Sequence, residues 1–209
     1  MTDRDPWDQR LARTLARPLA TTPITPNHVT IATLAIALAG AAMLASPHQA
    51  VVDWGAGLFA LSRFLDHLDG ELARRKRLSS RIGYYLDYLA GAGSYAAMFI
   101  GAGIGSANGW LGPWAYGLGV LGAAIALTAM VLNIAVDKQR IRLGLQTPKD
   151  AVGYPQFGGF ELEDGIYLIA PITWLGFLEP FFVAASLGAA VYAVWTLATF
   201  GRLYRRSPA

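Results

Sequence analysis

The 209-residue chain is 54% hydrophobic and only 15% charged, whereas a soluble domain of this size carries about a quarter charged residues. That balance excludes a disordered chain, a coiled coil and a collagen-like fibre, and it points to lipid as the main solvent. The chain has no cysteine, which excludes disulfides, thiolate metal sites and thiol nucleophiles; its net charge of +3 takes its meaning from where the charges lie.

In the N-terminal arm, residues 1–26, Trp7, Leu11, Leu15 and Leu19 recur every four positions while Arg10, Arg13 and Arg17 fall elsewhere on the helical wheel. This pattern predicts an amphipathic helix lying in the membrane interface, limited by Pro18. The arm has no apolar core of its own and does not read as a signal peptide. Thr25-Pro26-Asn27 then reads as a helix start, opening a first span over 29–46.

A second span is expected over 50–73, although Arg63, Asp66, Asp69 and Glu71 interrupt its apolar run. Between Asp87 and Asp137 no residue is charged, a stretch too long for one crossing of about 20 residues. The turn-rich segment 106–113 divides it into a third span over 83–105 and a fourth over 113–136. Two more follow over 165–178 and 181–201, separated by Glu179-Pro180. The expected fold is therefore all-α: a polytopic membrane protein of six transmembrane helices preceded by a cytoplasmic interfacial helix. The membrane domain spans 27–203 and a short tail 204–209.

Charge placement sets the orientation. All but Arg63 of the 17 Lys and Arg residues fall in four segments: the arm, Arg74 to Arg81, Lys138 to Lys149, and the tail from Arg202. Six crossings put these segments on one face, and the loops on the other face contain no Lys or Arg. The positive-inside rule then places both termini in the cytoplasm. The basic character reflects topology in a bilayer and does not call for a nucleic-acid partner.

Carboxylates inside a membrane helix are costly and mark function. Asp66 and Asp69 are three residues apart, with Gly70 and Ala73 four and seven residues beyond Asp66, so all four share one helix face. Two acids and two very small residues make a hollow with a negative floor. Arg74 at its cytoplasmic end is placed to reach a phosphate, and Gly70 and Ala73 leave room for a bulky ligand. Asp87 adds a third carboxylate at the start of the next span, with Gly83 four residues before it on the same face. Three such oxygens suit a hard divalent cation, Mg²⁺, Mn²⁺ or Ca²⁺.

The run Asp66-His-Leu-Asp69-Gly70-Glu-Leu-Ala73-Arg74, followed by Gly83 and Asp87, resembles the signature of the CDP-alcohol phosphotransferases, DxxDGxxAR with a following GxxxD and a last aspartate. The entry Thr25-Pro26-Asn27-His28-Val29-Thr30 is similar to that family's first-span entry, so the resemblance covers most of the chain. It implies a metal-dependent transferase of phospholipid biosynthesis, with its active site at the cytoplasmic interface. A CDP-linked lipid donor such as CDP-diacylglycerol would pass its phosphoryl-lipid part to an alcohol acceptor and release CMP. It further implies Asp66, Asp69 and Asp87 as ligands to Mg²⁺ or Mn²⁺, Asp87 as the metal-assisting catalytic carboxylate, and Gly70, Ala73, Arg74 and Gly83 as donor-binding residues. A homodimer is also implied.

One position departs from the signature. The last aspartate, both a metal ligand and the general base in the family, falls at Gly91. With three carboxylates against two divalent cations the second ion is expected to bind weakly, and loss of a general base removes a factor on the order of 10² to 10⁴ in rate. The alternative to a working transferase is a catalytically silent relative that binds CDP-lipid or metal without turnover. Candidate substitutes are a water, a substrate phosphate, His67, and one of Glu161, Glu163 and Asp164, which read more simply as a solvated helix start. Tyr88 and Tyr95 are poorer bases. Arg63 either contacts phosphate or balances the carboxylates. His28 and His48 read as interface residues, and Gly91, Gly93, Gly101, Gly103 and Gly105 as positions for close helix packing.

Overall fold

The computed structural model describes residues 7–78, 80–145, 156–157 and 160–206, and leaves the side chains of 7–9, 156–157 and 160–164 undescribed. The described residues form seven α-helices: α1 (Trp7–Leu19), α2 (Pro26–Leu44), α3 (Gln49–Lys76), α4 (Arg81–Gly105), α5 (Trp114–Arg142), α6 (Ile169–Trp174) and α7 (Leu178–Tyr204). A 3₁₀ turn, Leu162–Leu168, leads into α6. The all-α expectation needs one addition: a two-rung antiparallel ribbon of β1 (Gln156–Phe157) and β2 (Phe160–Glu161).

Three helices, α2, α5 and α7, are long and apolar enough to cross a membrane. The acidic and basic residues of α3 lower its hydropathy, but at 28 residues it is about 42 Å long. The 25-residue α4 reaches about 38 Å. The expected fifth span is shorter than its neighbours. Its 3₁₀ turn and the six-residue α6 together rise only about 23 Å.

The entry to α2 is built as its sequence suggests. Thr25 is the N-cap, its Oγ1 accepting from the His28 amide, while His28 Nδ1 accepts from the Thr25 amide and Pro26 occupies the first turn. This reciprocal cap satisfies two otherwise orphaned donors. His28 is therefore a capping residue. At the far end of α3, Arg77 adopts a left-handed conformation (φ 54°) and the Leu78 amide bonds back to the Ala73 carbonyl at 3.1 Å. That closure stops α3 abruptly. Ser80 then caps α4 by accepting from the Gly83 amide at 2.9 Å, so the chain reverses within a few residues and lays the start of α4 beside the end of α3.

Close backbone approach holds α2, α3 and α4 together. A Cβ on Gly40 would lie 2.7 Å from the Gly55 carbonyl oxygen, and one on Gly55 equally close to the Gly40 oxygen. Gly101 and Gly105 pack against the backbone of Ala41 and Leu44 on α2, and Gly103 against Ala115 and Gly119 on α5. Small residues at such crossings bring whole helix backbones into dispersion contact. The prediction of close packing holds for these three glycines of α4. Among the described residues it fails for Gly91, whose Cβ would meet nothing within 4 Å, and nearly so for Gly93, whose Cβ would only touch Leu34 at 3.9 Å. The core between the helices is filled by Phe59, Met98, Phe99, Phe182 and Ile169.

Helix α1 packs on α3 through Ala12 and Ala16, both fully buried, and turns Leu11 and Leu15 outward. Lys76 Nζ donates to the carbonyl oxygens of Thr22 (2.5 Å) and Ile24 (2.7 Å), tying the α1–α2 link to the end of α3.

Candidate metal centre

Asp66 and Asp69 project from the second half of α3 and Asp87 from the second turn of α4. One carboxylate oxygen from each lies within 4.8 Å of the other two. The three differ in environment: Asp69 is buried, Asp66 half-buried and Asp87 exposed. Three like charges this close repel one another strongly at the edge of an apolar core, and a divalent cation is the natural counter-ion. A set composed only of carboxylate oxygens, open on the Asp87 side, fits Mg²⁺ or Mn²⁺ with water or phosphate completing the shell.

Neighbouring side chains fix two of the three acids. Thr30 Oγ1, on the first turns of α2, donates to Asp69 Oδ2 at 2.6 Å. Arg63, itself 5% exposed, donates from Nη2 to Asp66 Oδ2 at 2.6 Å. Its guanidinium also lies over the Tyr95 ring, 4.9 Å from the centroid. Of the two roles the sequence left open for Arg63, charge balance on Asp66 is the one its contacts display.

The remaining predicted site residues border this centre. Arg74 pairs with Glu71, Nη2 and Nε lying 2.9 and 3.1 Å from Oε2, and Arg75 Nε pairs with the other oxygen at 3.1 Å. Glu71 is buried, while the Arg74 side chain is 69% exposed. A Cβ on Gly70 would sit 3.6 Å from Arg74 Nη1, so the guanidinium lies over the bare face of Gly70. Ala73 is half-buried on the same face. A Cβ on Gly83 would lie 3.1 Å from both Asn27 Oδ1 and Ser80 Oγ, so glycine here lets α4 approach the start of α2. Among the described residues, a Cβ on Gly91, one turn beyond Asp87, would meet nothing within 4 Å, and no fourth carboxylate joins the three. His67 is half-buried on α3. Lys149 and the side chains of Glu161, Glu163 and Asp164 lie outside the described residues.

Three contributions were not assigned from the sequence: Thr30, Asn27 and Glu71. The first two belong to the Thr25–Thr30 entry motif, which reads as a helix start and carries part of the family likeness without marking site residues. The third sits inside the acidic run, where its spacing to Arg74 and Arg75 is that of helical ion pairs.

These geometries bear on ancestry through comparison with known proteins. Residues 23–200 match the CDP-alcohol phosphatidyltransferase family. The chain belongs to that family. No curated protein sequence matches it. Among solved structures, Mycobacterium tuberculosis phosphatidylinositol phosphate synthase in complex with manganese and citrate aligns at a TM-score of 0.52 and 22% identity, covering 93% of this chain and 87% of that one. The same synthase with CDP-DAG bound aligns at a TM-score of 0.53 and 23% identity, covering 94% of this chain and 92% of that one. At such identity the likeness is one of fold. Family membership adds transferase character, a place in phospholipid biosynthesis, metal binding and a membrane setting.

Proposed function

We propose that this protein carries out metal-dependent transfer of a phosphatidyl group from a CDP-linked lipid donor such as CDP-diacylglycerol to an alcohol, releasing CMP. The observation that carries this reading is the convergence of Asp66, Asp69 and Asp87, with carboxylate oxygens within 4.8 Å of one another, in a chain of this family. Asp66, Asp69 and Asp87 would hold Mg²⁺ or Mn²⁺, which when bound neutralises charge on the transferring and leaving oxygens. Arg74, over Gly70, would hold the donor's diphosphate, with Ala73 and Gly83 bordering the nucleotide.

The setting we propose is a six-crossing helical domain over 27–203, with both termini and the metal centre on the cytoplasmic side and α1 in the interface. Exposed tryptophans support it. Trp54, Trp110, Trp114 and Trp174 lie at the helix ends remote from the aspartates, where an aromatic belt meets the opposite headgroups. Arg74 to Arg81, Lys138 to Arg142 and Arg202 to Arg206 lie at the aspartate end.

A second reading, a silent relative that binds donor or metal without turnover, is favoured by the open space at Gly91. The deciding experiment supplies full-length protein in lipid nanodiscs with radiolabelled CDP-diacylglycerol, Mn²⁺ or Mg²⁺ and a panel of alcohols. Transfer predicts CMP release that Asp69→Asn abolishes. Donor binding without CMP under every condition would establish the silent relative.

A further inference from the structure

Successive residues of an α-helix advance about 100° round its axis, so with Asp87 as origin Gly91 lies about 40° on, Tyr84 about 60°, Tyr95 about 80° and Tyr88 about 100°, all in one direction. Helix α4 thus presents, side by side, a metal-centre aspartate, a bare glycine and a line of phenols. Among the described residues, a Cβ on this glycine meets nothing within 4 Å. On the α3 side this sector is bounded by Arg63, stacked on Tyr95. On the other side stands Asp137. Fifty residues beyond Asp87 in sequence, it returns on antiparallel α5, and its Oδ2 accepts from the hydroxyls of Tyr84 at 2.9 Å and Tyr88 at 2.7 Å.

This cluster has a definite polarity. Both phenol protons point at Oδ2, so what it offers to an incoming molecule is acceptor capacity: lone pairs on two phenol oxygens and the second carboxylate oxygen. It is half-buried at the membrane-surface end of α4 and α5, and Tyr84 is exposed. A water-soluble alcohol arriving from that side can therefore reach it while a lipid donor occupies the bilayer side.

We infer that Asp137, held by Tyr84 and Tyr88, recognises the acceptor alcohol, and that it selects an unphosphorylated one whose remaining groups donate hydrogen bonds, a polyol or an amino alcohol. The inference rests on the transfer reading above, which alone calls for an acceptor next to the metal centre. Over Gly91 the acceptor places its reacting hydroxyl toward Asp87 and its other hydroxyls or ammonium group toward Asp137. A phosphate monoester in the same place brings like charge against a carboxylate, and a half-buried polar wall left unmatched discriminates against it. Lys138 and Arg140 follow Asp137 on α5, and their capture of an acceptor phosphate is the opposing outcome.

The test is calorimetric titration of the Mn²⁺-loaded full chain in nanodiscs with glycerol, myo-inositol and ethanolamine, and with the phosphate monoesters of the first two. Expected are tighter binding of the free alcohols and a loss of about tenfold in their affinity on Tyr88→Phe or Asp137→Asn. CDP-diacylglycerol affinity stays unchanged, a split that general loss of structure does not produce. Preference for the phosphate monoesters, free-alcohol affinity unmoved by both substitutions, or no alcohol binding overturns the inference. Should Asp137→Asn fail to fold, Tyr88→Phe decides, since the Tyr84 bond to Asp137 survives it. Failure of the transfer reading appears instead as absence of CMP release while alcohol binding persists.

Discussion

Thr30 on α2 donates a 2.6 Å hydrogen bond to Asp69 on α3, and both side chains are buried. The bond links the capped entry of one helix to the most enclosed acid of the candidate metal centre. Thr30→Val keeps the shape and removes the donor. Loss of such a supporting hydrogen bond is expected to weaken Mn²⁺ binding by about tenfold, read by Mn²⁺ electron paramagnetic resonance. Unchanged affinity would show that Asp69 is positioned without Thr30.

Arg63 compensates Asp66 inside the helix bundle at 2.6 Å. Breaking a buried pair by removing one partner costs roughly 3 kcal/mol, so Arg63→Met should lower the melting temperature in detergent. If Asp66 is a ligand as proposed, Mn²⁺ would bring positive charge to the same carboxylate, and added Mn²⁺ should recover more stability in the variant than in the parent. Equal Mn²⁺ stabilisation of both proteins would argue against shared charge balance.

Binding to the folded state alone stabilises it in proportion to the logarithm of ligand concentration, about 2.7 kcal/mol at a hundred times Kd. Mn²⁺ should therefore raise the melting temperature of the parent, EDTA should reverse the rise, and Asp69→Asn should abolish it. A rise that persists in Asp69→Asn would place the cation elsewhere.

Gly91 and Gly101 lie on one helix and should respond oppositely to alanine. Among the described residues a Cβ on Gly91 meets nothing within 4 Å, so Gly91→Ala should be neutral or stabilising by up to about 1 kcal/mol through helix propensity. A Cβ on Gly101 would overlap the Ala41 backbone, and Gly101→Ala should destabilise by about 1–3 kcal/mol through overpacking. Thermal melting of both variants checks the contrast.

The same open space makes Gly91→Asp sterically possible. A fourth carboxylate one turn after Asp87 is expected to strengthen Mn²⁺ binding and to raise CMP release by a factor on the order of 10² if it restores a general base. Tighter Mn²⁺ binding without faster release would mean that proton transfer is already provided for.

Much of this was legible in one dimension because its causes are local. Helix-forming runs without charge, a Thr-Pro cap, and acids spaced to share one helix face are properties of contiguous residues, and Asp66, Asp69, Gly70, Ala73, Arg74, Gly83 and Asp87 all stand within 22 positions. The short α3–α4 reversal, stopped at Arg77 and restarted at Ser80, converts that proximity in sequence into proximity in space. What only the tertiary structure decided depends on partners far apart in the chain. Thr30 meets Asp69 across 39 residues and Tyr88 meets Asp137 across 49, separations at which periodicity carries no information about pairing. Likewise, identical glycines on α4 divide because neighbouring backbones press on the helix at 101, 103 and 105, whereas among the described residues nothing lies within 4 Å of a Cβ at 91. Composition specifies what each helix face can do; only the crossing of helices specifies what each face meets.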